Sequence, residues 1–199
     1  MIKNLLVGRS LTSTLNSSSI LCRFGNYYGY SYSTFTHIDA DKQQPTMVDV
    51  SDKSVTKRTA IARSTIEFPS HVLEQLQGNI TSDGGKVKDI VSKKGPVFAT
   101  SIVAGTMAAK KCWDLIPFCH PIAIESCTFD INIVDKTHVQ VDCTVSCSGK
   151  TGVEMEALTG ASVASLTIYD MCKALSHDII IKETKLINKL GGKSDINKK

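Results

Sequence analysis

Two stretches in the middle of the chain alternate apolar and polar residues, and this alternation constrains the fold more than any other feature of the sequence. They span residues 125–133 and 139–147 and are separated by the polar turn "DKT" at 135–137. A period of two on both sides of a polar turn predicts a β-hairpin with one buried face. The residues expected on that face are Cys127, Phe129, Ile131 and Ile133, followed by Val139, Val141, Cys143, Val145 and Cys147.

The segments on either side of this hairpin predict further strands and helices. They are a strand over 59–68, a short helix with Ser70 as its N-cap, a Gly-rich polar loop over 78–89, helices over 101–115 and 152–175, and a strand over 177–188. In the helix over 101–115 we expect Ile102, Met107 and Trp113 to be buried. The order of these elements predicts an α+β fold, a ferredoxin-like βαββαβ sandwich with an antiparallel sheet and its helices on one face.

The N-terminal end of the chain differs in composition from the rest. Lys3, Arg9 and Arg23 precede the first acidic residue, Asp39, in a segment rich in Ser, Thr, Asn and Leu. This composition is typical of a mitochondrial transit peptide, and a disordered tail is the alternative. The expected division is a transit peptide and linker over residues 1–37, one domain over 38–195 in the mitochondrial matrix, and a frayed tail over 196–199.

Composition also argues against several classes of function. The net charge is +4, but most of the excess lies in the N-terminal segment, so the predicted domain is nearly neutral and a nucleic-acid surface has little support. No run approaches the roughly 18 apolar residues of a membrane-spanning helix, so no membrane partner is expected. The seven cysteines are odd in number and include no CxxC pair, which argues against a disulfide framework or a zinc ribbon. We expect them to be mostly small buried residues.

The helix over residues 152–175 carries charges inside a run of apolar and small residues. Asp170 and Lys173 are three residues apart and within reach of each other, and Glu156 falls on nearly the same side of the helix but about 21 Å away along the axis. One interpretation is a solvated face with an ion pair. The other is a functional edge, because exposed faces usually carry more Lys, Glu and Gln than this one does.

The segment "IPFCHPI" at residues 116–122 holds Cys119 and His120 between two prolines that stiffen the backbone. A histidine held in this way suits substrate contact or proton transfer, and a loop histidine bonded to backbone is the alternative. A catalytic Cys–His pair is less favoured, because adjacent side chains usually point apart.

Lysines follow or adjoin glycines in three segments, over residues 93–96, 148–152 and 188–195. Glycine lets backbone amides approach an anion and lysine adds a mobile positive charge, so the combination suits phosphate groups. The "GKT" at 149–151 is not a P-loop, because Thr144 stands where that motif needs glycine.

Several long motifs resemble one known family. They are "MVDVS" at 47–51, "KGPVFAT" at 94–100, "AAKKCWDLIPFCHP" at 108–121, "GKTGVEMEALTGASVASLTIYDMCKAL" at 149–175 and "GGKSD" at 191–195. In content and order they are similar to the cyclic pyranopterin monophosphate synthases, the C proteins of molybdenum cofactor biosynthesis, in a eukaryotic form with a presequence. Pro96 departs from the family pattern, in which an acidic residue usually follows "KG".

The resemblance implies a lyase that converts (8S)-3′,8-cyclo-7,8-dihydroguanosine 5′-triphosphate to cyclic pyranopterin monophosphate with release of pyrophosphate. It also implies a ferredoxin-like subunit in a hexamer built as a trimer of dimers, with active sites at dimer interfaces. A functional link to the upstream radical enzyme that cyclises GTP is implied as well. No cofactor is firmly implied. Mg²⁺ with the triphosphate is compatible with the resemblance, but no metal-ligand cluster is visible in the sequence.

The resemblance also assigns roles to particular residues. Those with catalytic roles are Lys94, Asp170 and Lys173. Those expected to bind substrate are Arg58, Phe118, Cys119, His120, Met155, Glu156, Lys189 and Lys193.

Two other classes of function share some of these features. RNA recognition motifs have the same βαββαβ order but stack bases on aromatic residues of the central strands, and the hairpin strands here hold only Phe129. An inert oligomeric scaffold would not need Lys94, His120, Asp170 and Lys173 together. Pyrophosphate release from the cyclised nucleotide would separate all three interpretations.

Overall fold

The structure is a computed structural model that describes residues 38–39, 44–77, 80–83 and 86–198. The predicted transit peptide over residues 1–37, which includes Cys22, lies outside the described residues. The strands are β1 Ile38–Asp39, β2 Gln44–Pro45, β3 Thr56–Glu67, β4 Ile80–Asp83, β5 Lys86–Ser92, β6 Gly95–Pro96, β7 Ser126–Ile133, β8 His138–Gly149, β9 Ile180–Leu190 and β10 Ile196–Asn197. The helices are α1 Ser70–Gln77, α2 Val97–Lys110, α3 Cys112–Leu115 and α4 Glu154–Cys172.

Five strands form one antiparallel sheet in the order β10-β9-β3-β8-β7. The central strand β3 pairs along its whole length with β8, from Thr56 opposite Gly149 to Glu67 opposite His138. The β7–β8 hairpin lies where the sequence predicted it, with Ile133 opposite Val139. With α2 between β3 and β7 and α4 between β8 and β9, the chain has the split βαβ arrangement of a ferredoxin-like α+β fold, which confirms the predicted fold class.

One face of this sheet forms the core because its strands alternate as the sequence predicted. In β8 the five inward residues, Val139, Val141, Cys143, Val145 and Cys147, are fully buried. Ala60 and Ala62 of β3 pack with Ala157 and Ala161 of α4 in the same cluster. The small side chains allow α4 to lie very close to the sheet, which fixes where both ends of this long helix are found.

Helices α2 and α4 also approach each other closely. A Cβ atom on Gly105 of α2 would lie 2.8 Å from the carbonyl oxygen of Gly160 in α4 and 2.6 Å from the ring of Phe129. Only glycine fits such a contact without displacing a neighbour. The side of α2 that faces α4 and the sheet is therefore lined by small residues, including Ser101, Gly105, Ala108 and Ala109.

This packing explains why the burial predicted for the first long helix is wrong. The helix begins at Val97, directly after Pro96, and ends at Lys110, and a separate short helix α3 follows Lys111. Because its small residues face inward, Ile102 and Met107 of α2 are exposed by 37% and 46%. Trp113 lies in α3 and is 51% exposed. These large side chains point away from the core.

Two predicted irregular segments contain strands. The loop expected over residues 78–89 includes β4 and the start of β5, which pair with each other and continue into β6 as a small antiparallel sheet. Ile90 of β5 is fully buried and anchors this sheet to the main core. The expected frayed tail is ordered at Ile196 and Asn197, which pair with Lys189 and Asn188 of β9.

The described cysteines are all free, and most fill the core as expected. Cys112, Cys143, Cys147 and Cys172 are buried, whereas Cys119 and Cys127 are partly exposed. In the described part of the chain, no helix combines the length and apolarity needed to cross a bilayer.

Candidate active site

The residues singled out from the sequence lie at the two ends of α4. Asp170 and Lys173 are at its C-terminal end together with Lys94, and we call these three residues the charged triad. Met155 and Glu156 are at its N-terminal end, beside two adjoining pockets. Fourteen residues of helix separate Glu156 from Asp170, which corresponds to about 21 Å. One copy of the chain therefore holds two separate groups of candidate functional residues.

In the charged triad, Asp170 lies between two ammonium groups. Lys173 Nζ is 2.7 Å from Asp170 Oδ1, and Lys94 Nζ donates to Asp170 Oδ2 at 2.9 Å and to its backbone oxygen at 2.8 Å. The hydrogen bonds from Lys173 and Lys94 lower the pKa of Asp170 to about 2. The same contact with Asp170 raises the pKa of Lys173. At neutral pH the triad thus presents a carboxylate with protonated Lys173 beside it.

Lys94 reaches Asp170 from the tight turn between β5 and β6. Gly95 adopts a φ of 108°, a left-handed conformation that glycine tolerates and other residues rarely adopt. Within the turn, Lys94 N donates to Ser92 Oγ at 3.1 Å, and Ser92 Oγ donates to Gly95 O at 3.2 Å. The "KG" pair therefore has a structural reason: glycine makes the turn that directs the preceding lysine toward α4.

The first pocket at the other end of α4, which we call the basic pocket, has a volume of about 430 Å³. Its charged lining residues are Lys53, Arg58, Lys150, Lys189 and Lys193, with Asp52 and Glu154. Arg58 Nε donates to the carbonyl of Gly149 at 3.3 Å, and Lys189 pairs with Glu154 at 3.2 Å. The excess of positive groups suits an anion that carries several charges.

A glycine turn places the lysines of this pocket. Gly191 has a φ of 84°, and a Cβ atom there would overlap the carbonyl of Lys57. Its carbonyl accepts a hydrogen bond from Thr56 Oγ1 at 2.8 Å, and its N–H donates to Asp195 Oδ1 at 3.1 Å. The turn is thereby tied to the start of β3, which holds Lys189 and Lys193 on the same side as Arg58.

The second pocket, which we call the histidine pocket, has a volume of about 400 Å³. It is lined by all five remaining residues predicted to bind substrate: Phe118, Cys119, His120, Met155 and Glu156. His120 Nε2 lies 2.9 Å from the carbonyl oxygen of Val48. Since a carbonyl only accepts, Nε2 carries the proton and Nδ1 is the acceptor atom of this ring. The histidine is bonded to backbone, as one interpretation from the sequence expects, and it also lines a pocket. Its role in substrate contact or proton transfer stays a prediction.

Glu156 is the most unusual side chain of the histidine pocket. It is only 3% exposed, and its Oε2 has no hydrogen-bond partner among the described residues. Burial raises the pKa of its carboxyl group. The expectation that Glu156 shares an edge with Asp170 is therefore wrong in one respect: Asp170 is exposed, whereas Glu156 is buried. A buried carboxyl oxygen without a partner is a ready acceptor for a ligand.

Burial affects the neighbouring thiols in the same direction. It raises the pKa of Cys119, and it raises that of Cys112 to about 12. Thiols of this kind remain protonated at neutral pH and are weak nucleophiles. The geometry thus disfavours the Cys–His pair considered from the sequence.

Two lysines of the basic pocket were missed from the sequence. Lys53 follows the "MVDVS" segment, and Lys150 belongs to a Gly–Lys segment that was noted but not assigned a role. Lys150 Nζ donates to the carbonyl of Ser51 at 2.6 Å, so it connects the two segments. Within the described ranges, no three His, Cys, Asp or Glu side chains form a group that could hold a metal ion.

Comparisons with known proteins show which family the chain is similar to. The MoaC family model matches residues 47–192. Cyclic pyranopterin monophosphate synthase from Xanthomonas axonopodis pv. citri (strain 306) is 53% identical over 161 residues, which is 81% of this chain and 92% of that protein. The synthase of the same name from Lysinibacillus sphaericus (strain C3-41) is 46% identical over 165 residues, covering 81% and 96% of the two chains.

A longer relative is more similar still. Molybdenum cofactor biosynthesis protein 1 from Dictyostelium discoideum is 68% identical over 167 residues, which is 80% of this chain but only 26% of that protein. The chain thus spans about a quarter of this relative and nearly the full length of the bacterial synthases. Since the family model covers most of the chain and includes both ends of α4, the chain belongs to the MoaC family.

Proposed function

We propose that the chain is a cyclic pyranopterin monophosphate synthase, a lyase of molybdenum cofactor biosynthesis. Its substrate would be (8S)-3′,8-cyclo-7,8-dihydroguanosine 5′-triphosphate and its products cyclic pyranopterin monophosphate and pyrophosphate. The observation that carries the proposal is the basic pocket beside the histidine pocket, in a chain that matches bacterial synthases of that name over nearly their whole length. The first test is pyrophosphate release by the purified chain from the cyclised nucleotide.

In this proposal the basic pocket binds the triphosphate. Lys53, Arg58 and Lys193 supply positive charge around one cavity, and Lys189 adds another where the two pockets meet. Glu154 pairs with Lys189 in the structure. A phosphate group that binds Lys189 would therefore compete with the Glu154 carboxylate for this lysine. Fixed cations also stabilise the charge that develops on a leaving pyrophosphate.

The histidine pocket would hold the ring system derived from guanine. Phe118 and Met155 provide apolar surface, His120 Nδ1 is an acceptor, and the unpartnered Oε2 of Glu156 accepts a hydrogen bond from a ring or exocyclic N–H. Burial of Glu156 without a partner costs free energy in the empty protein, and a ligand donor would recover part of that cost.

The charged triad would move protons and stabilise negative charge. The contact with Asp170 raises the pKa of Lys173 and keeps its ammonium group charged. Lys173 therefore stabilises negative charge, and it gives up its proton only to a strongly basic group of the substrate. Asp170 remains ionised and orients both amines, since it contacts Lys173 and Lys94 through separate oxygens. With a pKa of about 2, its carboxylate cannot itself act as an acid at neutral pH.

We infer that one active site takes the triad from one copy and the two pockets from a second copy. Within one chain these groups are about 21 Å apart, too far for one small substrate to touch both. An outward stripe of α4 runs between them and consists of Met155, Thr159, Ser162, Leu166, Asp170 and Lys173. Met155 and Leu166 on this stripe are 40% and 56% exposed. Two α4 helices packed antiparallel along it would bring each triad toward the other copy's pockets.

The larger assembly and the location of the protein are further parts of the proposal. We propose a hexamer built as a trimer of such dimers, as the family resemblance implies. The exposed apolar side chains Ile102, Val103 and Met107 of α2 provide additional surface for contacts between copies. The enzyme would receive its substrate from the radical enzyme that cyclises GTP, and it would bind neither nucleic acid nor membranes.

The N-terminal segment yields the first testable prediction. We propose that residues 1–37 direct import into the mitochondrial matrix, because they combine positive charge with Ser, Thr and Leu and carry no acidic residue. A fluorescent protein fused to residues 1–37 should enter mitochondria. The same fusion with Lys3, Arg9 and Arg23 changed to Ser should remain in the cytosol. Cytosolic fluorescence from the unmodified fusion would refute the proposal.

The charged triad yields the second prediction. Lys173→Ala and Asp170→Asn should each lower turnover by about a hundredfold or more, because each removes a group that holds or positions a transferred proton. Melting temperature should change little, since both side chains are about half exposed. The matched control is Lys182→Ala, which removes another exposed lysine, paired with Glu67 at 2.6 Å and distant from both pockets. If the two variants melt far below wild type while their folded fraction turns over normally, the triad is structural.

The third prediction concerns Glu156 and pH. Its pKa is raised above the ordinary 4.5 in the folded protein. Between these two values the folded state binds more protons than the unfolded state, so stability falls as pH rises through this window. Glu156→Gln removes this loss and should melt a few degrees above wild type at pH 7.5. At pH 4 the difference should be small.

Melting temperatures of wild type and Glu156→Gln, measured from pH 4 to pH 7.5, test this prediction. Glu74→Gln changes an exposed carboxylate on α1 and is the control, with no comparable dependence expected. A Glu156→Gln variant that is less stable than wild type at pH 7.5 would show that the ionised carboxylate has a stabilising partner.

A further inference from the structure

Asp89 on β5 binds the start of the next helix. It is buried, with 9% of its surface exposed. Its Oδ1 accepts hydrogen bonds from the N–H of Ile90 and from that of Phe98, both at 2.7 Å, and its Oδ2 accepts one from Ala99 N–H at 3.0 Å. One carboxylate therefore joins a strand to the first turn of α2.

The need for this carboxylate follows from the sequence at the helix start. The first N–H groups of an α-helix have no partner within the helix. The residue at the N-cap position of α2 is Pro96, which offers no side-chain acceptor, and the first turn contains no acidic residue. A carboxylate at this end also interacts favourably with the helix dipole. Asp89 supplies both effects from a different element of the fold.

The contact has a consequence for Lys94, which lies between Asp89 and Phe98 in the sequence. The turn that carries Lys94 leaves β5 after Ser92 and enters α2 at Val97. Because Asp89 binds α2, the segments before and after the turn are held together at their base. The paired residues Val91 and Pro96 continue the contact toward the turn. At its tip, Lys94 Nζ reaches Asp170 on α4.

We propose that Asp89 is a positioning residue for Lys94: by joining β5 to the first turn of α2, it fixes the turn from which Lys94 reaches the charged triad. The proposal rests on the proposed function, in which Lys94 acts in catalysis. Asp89 itself lies outside both pockets.

Simple helix capping is the competing explanation, and two variants separate it from positioning. Asp89→Ala removes the junction and the cap together. Asp89→Ala combined with Pro96→Asp restores a favourable N-cap within α2 but does not restore the side-chain link from position 89 of β5 to α2. Thr100→Ala is the matched control, because Thr100 Oγ1 donates to Pro96 O at 2.6 Å at the same helix end without touching β5.

Steady-state kinetics with the cyclised nucleotide provide the first measurement. Both Asp89 variants should lose roughly tenfold to a hundredfold in kcat, because small displacements of a catalytic group have effects of this size. KM should stay near the wild-type value, since the pockets lie at the other end of α4. Thr100→Ala should leave kcat and KM unchanged. Recovery of wild-type kcat in the double variant would show that Asp89 is only a cap and would overturn the proposal.

Backbone hydrogen exchange provides a measurement that needs no turnover. In the double variant, amides of residues 90–95 should exchange faster than in wild type, while those of α2 return to the wild-type rate. Wild-type exchange at 90–95 in that variant would contradict the proposal even if Asp89→Ala alone failed to fold. If the wild-type protein formed no product but the exchange pattern appeared as expected, the proposed function would fail and the junction made by Asp89 would stand.

Discussion

The close packing of α4 on the sheet is the contact on which the other features depend. Ala157, Ala161 and Ala164 are fully buried, and Ala60 and Ala62 of β3 meet the helix from the sheet. Where these alanines of helix and strand meet, the side chains are only methyl groups, so a shift or rotation of α4 would produce overlap or voids, and cores tolerate neither. Gly105 and Gly160 add the same constraint between α2 and α4. Close packing along its length therefore fixes the positions of both ends of α4.

The environments at these two ends give two carboxylates of one helix opposite properties. Asp170 is exposed and contacts two lysines, so its pKa falls to about 2. Glu156 is buried with an unpartnered oxygen, so its pKa rises. Opposite charges and desolvation are the two causes, and they act here in opposite directions. The arrangement suits one end to proton donation by lysines and the other to ligand binding.

The fold was largely predictable from the sequence because its central elements follow simple periods. The alternation in β7 and β8 and the long helix α4 predicted the sandwich. The short helix α1 was also expected, but it begins at Ser70 itself, which the sequence placed at the N-cap position. The errors have physical reasons. Ile102 and Met107 are exposed because the middle and end of α2 pack through small residues, which a rule based on side-chain size misses. Trp113 is exposed on the separate helix α3. The strands β4 and β5 were not predicted, because the glycines and charged residues around them are typical of a loop.

The sequence identified candidate residues for the site but did not predict how these residues lie relative to one another. Spacing alone placed Asp170 beside Lys173 and far from Glu156, as found. It could not show that Lys94 joins them, because that contact depends on the turn at Gly95 and spans 76 positions of the chain. Nor could it place Lys53 and Lys150 in the basic pocket, which forms only when β3, β9 and the segment before α4 come together.

The central claim is that each active site combines the charged triad of one copy with the pockets of another, and mixing two inactive variants tests it most directly. Lys173→Ala damages only the triad, and Arg58→Ala damages only the basic pocket. Co-assembled in equal amounts, they should recover about a quarter of wild-type activity, because half of the dimers are mixed and each mixed dimer has one intact site. A mixture of Lys173→Ala with Lys94→Ala, both in the triad, should recover none. Absence of recovery in the first mixture, with mixed dimers demonstrated by mass spectrometry, would contradict the shared site.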